Sequence, residues 1–124
     1  MRRAGSTTPR RRSTTARGRA AERRARLHYL LHGYRVLAVN ARAGGNEIDI
    51  VLRRGGRLVF CEVKAKSGDR YGDPLEMVGP EKQRRLRRAA EAWLAAHPEL
   101  SGLAVSFEVA AVRRRRLERL RDAF

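Results

Sequence analysis

Residues 46–64 read NEIDIVLRRGGRLVFCEVK, two apolar runs split by Gly55-Gly56. A diglycine between strands predicts a two-residue hairpin, because the mirror-image turns that match strand twist need positive φ, which glycine adopts freely. With those glycines as the loop, Arg54 faces Arg57, Val51 faces Phe60 and Asp49 faces Glu62. Side chains alternate along a strand, so Ile48, Ile50 and Leu52 join Val59, Cys61 and Val63 on one wholly apolar face. That face is the expected core. The other carries Glu47, Asp49 and Val51 opposite Lys64, Glu62 and Phe60, and with them every charge in the middle of the hairpin.

Directly opposed residues hold their Cβ atoms about 5 Å apart, and two carboxylates at ~5 Å repel by roughly 3 kcal/mol at an effective dielectric near 20. Lys64 offsets part of this in an ordinary salt-bridged surface. A divalent cation is the sharper alternative, since two carboxylates, a backbone carbonyl and waters suit Mg²⁺, a hard ion that keeps much of its hydration. The surroundings favour the cation. Glu47, Asp49 and Glu62 cluster within a chain of 29 Lys and Arg against 13 Asp and Glu, net +16, whose natural partner is a polyanion. A cation bridging phosphate to Asp49 and Glu62, with Lys64 orienting water or stabilising developing charge, gives phosphodiester hydrolysis.

Outward from the hairpin, residues 16–32 predict a first helix that stops at Gly33. Residues 34–39 predict a strand, and residues 40–46, with two Gly and two Asn, a turn. Residues 67–79 hold three glycines and Pro74 and predict a loop. Pro80 opens a helix whose apolar stripe is Leu86, Ala89, Ala90, Trp93 and Leu94. Residues 103–112 return to a strand. The order predicts an α/β or α+β fold with a mixed sheet. Cys61, the single cysteine, falls on the core face, and it and three scattered histidines exclude a disulfide framework or a cysteine zinc site. A reducing, cytoplasmic setting is expected. No run approaches the roughly 20 apolar residues of a membrane span. At 124 residues there is room for one domain: a disordered Arg-rich tail over 1–17, the folded domain over 18–112 and a basic segment over 113–124 anchored by Leu117, Leu120 and Phe124.

The segments Gly33-Tyr34-Arg35-Val36-Leu37, Asn40-Ala41-Arg42, Glu47-Ile48-Asp49-Ile50-Val51 and Val59-Phe60-Cys61-Glu62-Val63-Lys64, with Lys82, Phe107 and Ala123-Phe124, resemble the YraN-like family of predicted endonucleases. That family lies within the restriction-endonuclease-like superfamily, whose signature is Asp followed by Glu-x-Lys. The resemblance implies an αβββαβ core, a mixed sheet flanked by helices, with Asp49, Glu62 and Lys64 as the catalytic set. The chain is also similar to archaeal Holliday-junction resolvases, where an acid on the first helix joins the metal cluster; Glu22 matches that place. The metal set implied is therefore Asp49, Glu62, Glu22 and Glu47, with Mg²⁺ or Mn²⁺. Asn46 stands where the family has Gly, Ala65-Lys66 where Thr-Arg is usual, and Ser106-Phe107-Glu108 where Arg-Phe-Asp is usual.

Two functions follow. One is a Mg²⁺-dependent endonuclease acting on DNA rather than RNA, with branched DNA as a candidate substrate. The other is a nucleic-acid-binding protein on a degenerate nuclease fold. In both, Lys66, Lys82, Arg84, Arg85 and Arg88 are the expected phosphate contacts. No membrane partner is expected, and junction cleavage by symmetric paired cuts calls for a homodimer. Trp93 is read as core, Gln83 as a solvated helix residue, and Tyr71 as the one aromatic placed to meet a base.

Overall fold

The computed structural model describes residues 16–66 and 78–124. Helix α1 (Ala16–Leu31) leads into strands β1 (Arg35–Ala43), β2 (Asn46–Arg54) and β3 (Arg57–Ala65). Helix α2 (Pro80–Ala95), a 3₁₀ turn (Pro98–Leu100) and strands β4 (Ala104–Arg113) and β5 (Arg116–Leu120) follow. The strands form one sheet in the order β1-β2-β3-β4-β5, with β3 and β4 parallel and every other pair antiparallel. This is an α/β fold in αβββαβ order with a fifth strand appended.

Ala21, Ala25 and Tyr29 recur every four residues, and α1 buries that stripe against one face of the sheet with Ile50, Leu52, Val59, Cys61 and Ala110. The helix stops where glycine permits it. Gly33 sits at φ +87, its N–H donates to Leu30 O (3.3 Å) and the N–H of Tyr34 donates to Tyr29 O (2.9 Å), the paired closure of a Schellman cap. Helix α2 covers the other face, where Ala89, Ala90 and Trp93 pack on Val51, Leu58, Phe60 and Phe107. Both faces are therefore core. The hairpin's second face, expected to be charged through its middle, is apolar as far as Val51 and Phe60 and ionic only beyond them.

The β2–β3 register has Ile50 opposite Cys61, Val51 opposite Phe60 and Arg54 opposite Arg57, the pairing set by the diglycine loop. Only Gly55 takes positive φ (+59), so one mirror-turn position suffices. Three other expectations change. The turn placed at 40–46 contracts to Gly44-Gly45, and β1 runs on to Ala43 opposite Asn46 with a bulge between Val36 and Ala38. Ile48 packs with the α2-side cluster rather than beside Ile50. Arg116–Leu120, expected as part of a basic tail, pairs with β4 as the edge strand, Leu117 and Leu120 reaching the core clusters on opposite faces. Phe124 stacks on Phe107 at 5.0 Å. Of the tail expected over 1–17 and the loop expected over 67–79, residues 1–15 and 67–77, Tyr71 included, lie outside the described residues, and residues 16–17 open α1. No described helix is long and apolar enough to cross a membrane.

Candidate active site

Beyond Ile50 and Cys61 the β2–β3 ladder ends, and the two acids do not stand directly opposite as a ladder pair. The backbone N–H of Val63 donates instead to Asp49 Oδ2 at 2.8 Å. A side-chain carboxylate has taken over a donor that the strand pairing leaves open, which pins Asp49 against the peptide joining Glu62 to Val63. Both acids are about 1% exposed.

Glu62 lies near the C-terminal end of the central strand, its oxygens out of reach of bulk water. Lys64 Nζ, two residues along on the same face, is 3.5 Å from Glu62 Oε2, and Lys82 Nζ, from the first turn of α2, is 3.4 Å from the same oxygen. Two ammonium groups thus share one oxygen. Neither Glu62 oxygen has a hydrogen-bond partner among the described residues, and with both ion pairs on Oε2 the buried Oε1 is left with no partner of either kind, which is costly. That orphaned oxygen, beside the pinned Asp49, is where a hard cation fits. Mg²⁺ is commonly held by one or two carboxylates, waters and substrate phosphate.

Among the described residues, no three His, Cys, Asp or Glu side chains gather into a group able to hold a metal. The expected four-carboxylate set is therefore not assembled as one. Glu22 is buried in α1 at 8% exposure. Glu47 pairs with Arg42 in the β1–β2 ladder and lines a cavity of about 120 Å³ with Asn46, Lys82, Arg85 and Leu86.

The expected phosphate contacts divide. Lys82 faces Glu62 rather than solvent alone. Its position at the start of the crossover helix carried no local sign of which acid it would meet. Arg84 and Arg85 are exposed and pair with Glu81 at 3.4 and 3.6 Å, surface pairs of small energy that leave their charge to a ligand. Arg88 is exposed on the same helix. Lys66, just past the end of β3, has a side chain 3% exposed, with its ammonium 4.0 Å from Glu118 of β5. Gln83 donates from Nε2 to Val78 O (2.9 Å), fixing the helix start rather than facing solvent alone. Trp93 is core, edge-on to Phe60 at 5.8 Å.

A second polar centre was missed from the sequence. Glu108 on β4 accepts from Arg119 Nε and one guanidinium nitrogen (both 3.1 Å) and from the Tyr29 hydroxyl (2.8 Å), while Arg119 also donates to the Tyr34 hydroxyl at 2.9 Å. Tyr29 lies 3.5 Å from Cys61 Sγ, and burial pushes that thiol up to about 12, so Cys61 is a small hydrophobe and not a nucleophile. This network ties α1, β3, β4 and β5 together.

The class defined by these features is an α/β domain with a buried acid pair and two lysines gathered at the C-terminal half of its central strand. The chain belongs to the uncharacterised protein family UPF0102, whose model matches residues 21–112, and this is the YraN-like family that the motifs resemble. It is 43% identical over 118 residues to a UPF0102 protein of Frankia casuarinae, covering 91% of this chain and 99% of that one. It is 44% identical over 110 residues to one of Methylobacterium nodulans (89% and 84% covered). With one of Agrobacterium fabrum the figure is 38% over 115 residues (92% and 93%). Among solved structures, Pyrococcus furiosus SfsA in complex with Ca²⁺ overlaps with a TM-score of 0.34 at 15% identity, covering 85% of this chain and 61% of that one.

Proposed function

We propose that this protein is a divalent-cation-dependent endonuclease that hydrolyses phosphodiester bonds of DNA. One observation carries the proposal: the buried Glu62 carboxylate, with one oxygen bracketed by the ammonium groups of Lys64 and Lys82 and the other with neither an ion pair nor a hydrogen bond, beside an Asp49 held by Val63 N–H. Asp49 and Glu62 would hold Mg²⁺ or Mn²⁺, which when bound polarises the phosphate and makes water a nucleophile at neutral pH. The residues do the rest. The Val63 N–H fixes the Asp49 carboxylate in one orientation before substrate arrives. Lys64, its side chain 27% exposed, reaches from the buried acid to the surface, where its ammonium offsets negative charge growing on the phosphate oxygens. Lys82, 3.4 Å from Glu62 Oε2, holds that carboxylate in its orientation. Exposed arginines on α2 hold the flanking backbone.

The test is cleavage of duplex, single-stranded and four-way-junction DNA in Mg²⁺ and Mn²⁺. Asp49→Asn, Glu62→Gln and Lys64→Ala should each reduce cutting by about 10² or more while DNA binding persists. A pure preparation that cuts none of these substrates, or whose cutting survives all three substitutions, overturns the proposal. A second reading has its own support: two lysines on one Glu62 oxygen also make a structural ion cluster, as in a nucleic-acid-binding protein without chemistry. Calorimetry separates the two, since that protein binds DNA with strong salt dependence but takes up no divalent ion.

A further inference from the structure

Glu62 Oε2 carries two ammonium groups, Lys82 Nζ at 3.4 Å and Lys64 Nζ at 3.5 Å, while Oε1 carries none. Two like charges crowded onto one oxygen repel each other. The two lysines are not equivalent. Lys64 lies on β3, two residues beyond Glu62 and on its side of the strand, so its stem stays beside the acid whatever its ammonium does. Lys82 arrives from another element. It stands in the first turn of α2, where free backbone N–H groups make the helix end positive, the wrong end for a cation. Glu81, the acidic residue of that turn, pairs with Arg84 and Arg85 at 3.4 and 3.6 Å, so the ion pair with Glu62 is what offsets the placement of Lys82. The Lys82 side chain is 26% exposed and borders the cavity of about 120 Å³ that Glu47 also lines. Its ammonium has room and an acidic wall to move toward.

We propose that Lys82 stands in for the divalent cation: it pairs with Glu62 in the cation's absence and lets go when the cation binds, leaving Lys64 alone beside the acid. The assignment rests on the nuclease reading of this site and deepens it. Charge is the reason. The formal charges of Asp49, Glu62, Lys64 and Lys82 cancel; a divalent ion added to all four leaves two positive charges uncompensated, and release of Lys82 removes one of them. Both acids are about 1% exposed, so bulk water and salt do little to screen the difference. Lys82 is a positioning residue that acts through Glu62. It keeps a buried carboxylate paired and aimed, which an unpaired one would not be. It also sets a threshold, because a cation that must displace an ammonium binds more weakly than the acid pair alone would hold it.

The test is Mg²⁺ titration of the full chain by calorimetry, without DNA, for the wild type, Lys82→Met and Arg57→Gln. Lys82→Met should bind Mg²⁺ roughly tenfold more tightly than the wild type. Arg57→Gln removes the same unit charge at the opposite end of β3, roughly 16 Å along the strand from Glu62, and should leave the affinity unchanged. Linkage requires a matching effect on stability: in EDTA Lys82→Met should melt below the wild type, because Glu62 has lost a partner, and saturating Mg²⁺ should abolish that difference. Lys64, Lys66 and Lys82 are the only lysines of the chain, so ¹³C-lysine labelling reports each side chain separately. On adding Mg²⁺ to the wild type, the Lys82 methylenes should become mobile on the ps–ns scale while those of Lys64 stay ordered. This measurement decides the matter even if Lys82→Met does not fold. Unchanged affinity in Lys82→Met, or a Lys82 as ordered in Mg²⁺ as in EDTA, overturns the stand-in role and leaves the nuclease reading intact. If the wild type and Lys82→Met both take up no Mg²⁺, the cation reading of the acid pair falls and this role falls with it.

Discussion

Glu62 and Glu108 are both buried carboxylates, and they solve the same problem in opposite ways. Glu108 has both oxygens engaged by Arg119 and Tyr29; Glu62 has one oxygen shared by two lysines and one left over. The first arrangement is complete as it stands, whereas the second leaves an oxygen for the cation that we propose. Removing one partner of a buried ion pair costs about 3 to 5 kcal/mol, so Arg119→Met should lower the urea midpoint severely, and Glu108→Gln in that background should recover part of the loss; chemical denaturation of the singles and the double decides it. His28 lies beside this network. Its pKa falls from 6.5 to about 4, through burial first and then through the neighbouring His32 and the guanidinium groups of Arg119 and Arg24, with Glu108 opposing them. The folded value lies below the unfolded one, so the neutral imidazole contributes its full stability above about pH 6.5 and loses it as the pH falls toward about 4. Between pH 7 and 4.5, His28→Gln should therefore lose less stability than the wild type, and equal losses would refute this.

At the scale of elements, local sequence was enough wherever a turn set the register. Gly55-Gly56 placed Val51 opposite Phe60 and so brought Asp49 and Glu62 to one end of one hairpin. The same dipeptide at Gly44-Gly45 was obscured because its flank, Asn40-Ala41-Arg42-Ala43, has little strand propensity; pairing with Glu47 and Ile48 decides its state. Lys82 on Glu62, Lys66 under β5 and Arg119 on Glu108 were out of reach for another reason. Each contact depends on where a crossover helix or an edge strand lands, and a run of arginines looks alike in a tail and in a hairpin. The β1–β2 turn illustrates the dependence. Gly44 sits at φ +58, and a Cβ there would come within 3.2 Å of Ala92 Cβ and 3.3 Å of Arg88 O on α2. Gly44→Ala should cost about 1 to 2 kcal/mol, whereas Gly56→Ala, with open space and no positive φ, should cost less; thermal melts compare them.

For the molecule as a whole, charge opposes folding and promotes binding. A net +16 on 124 residues repels itself in the compact state, and many of the arginines are exposed with only surface partners. The Debye length shrinks from about 30 Å at 0.01 M salt to about 8 Å at 0.15 M, a change that spans the dimensions of a domain this size. Screening should therefore raise the melting temperature over that interval, while the proposed DNA binding should weaken over it, because the same counterions released into saltier solution gain less entropy. The two effects have one origin and opposite signs. Scanning calorimetry across the salt series, run beside the binding titration, should show stability climbing as affinity falls; a melting temperature that drops with added salt would mean that attractive pairs such as Glu108–Arg119, not the unbalanced arginines, dominate the long-range electrostatics.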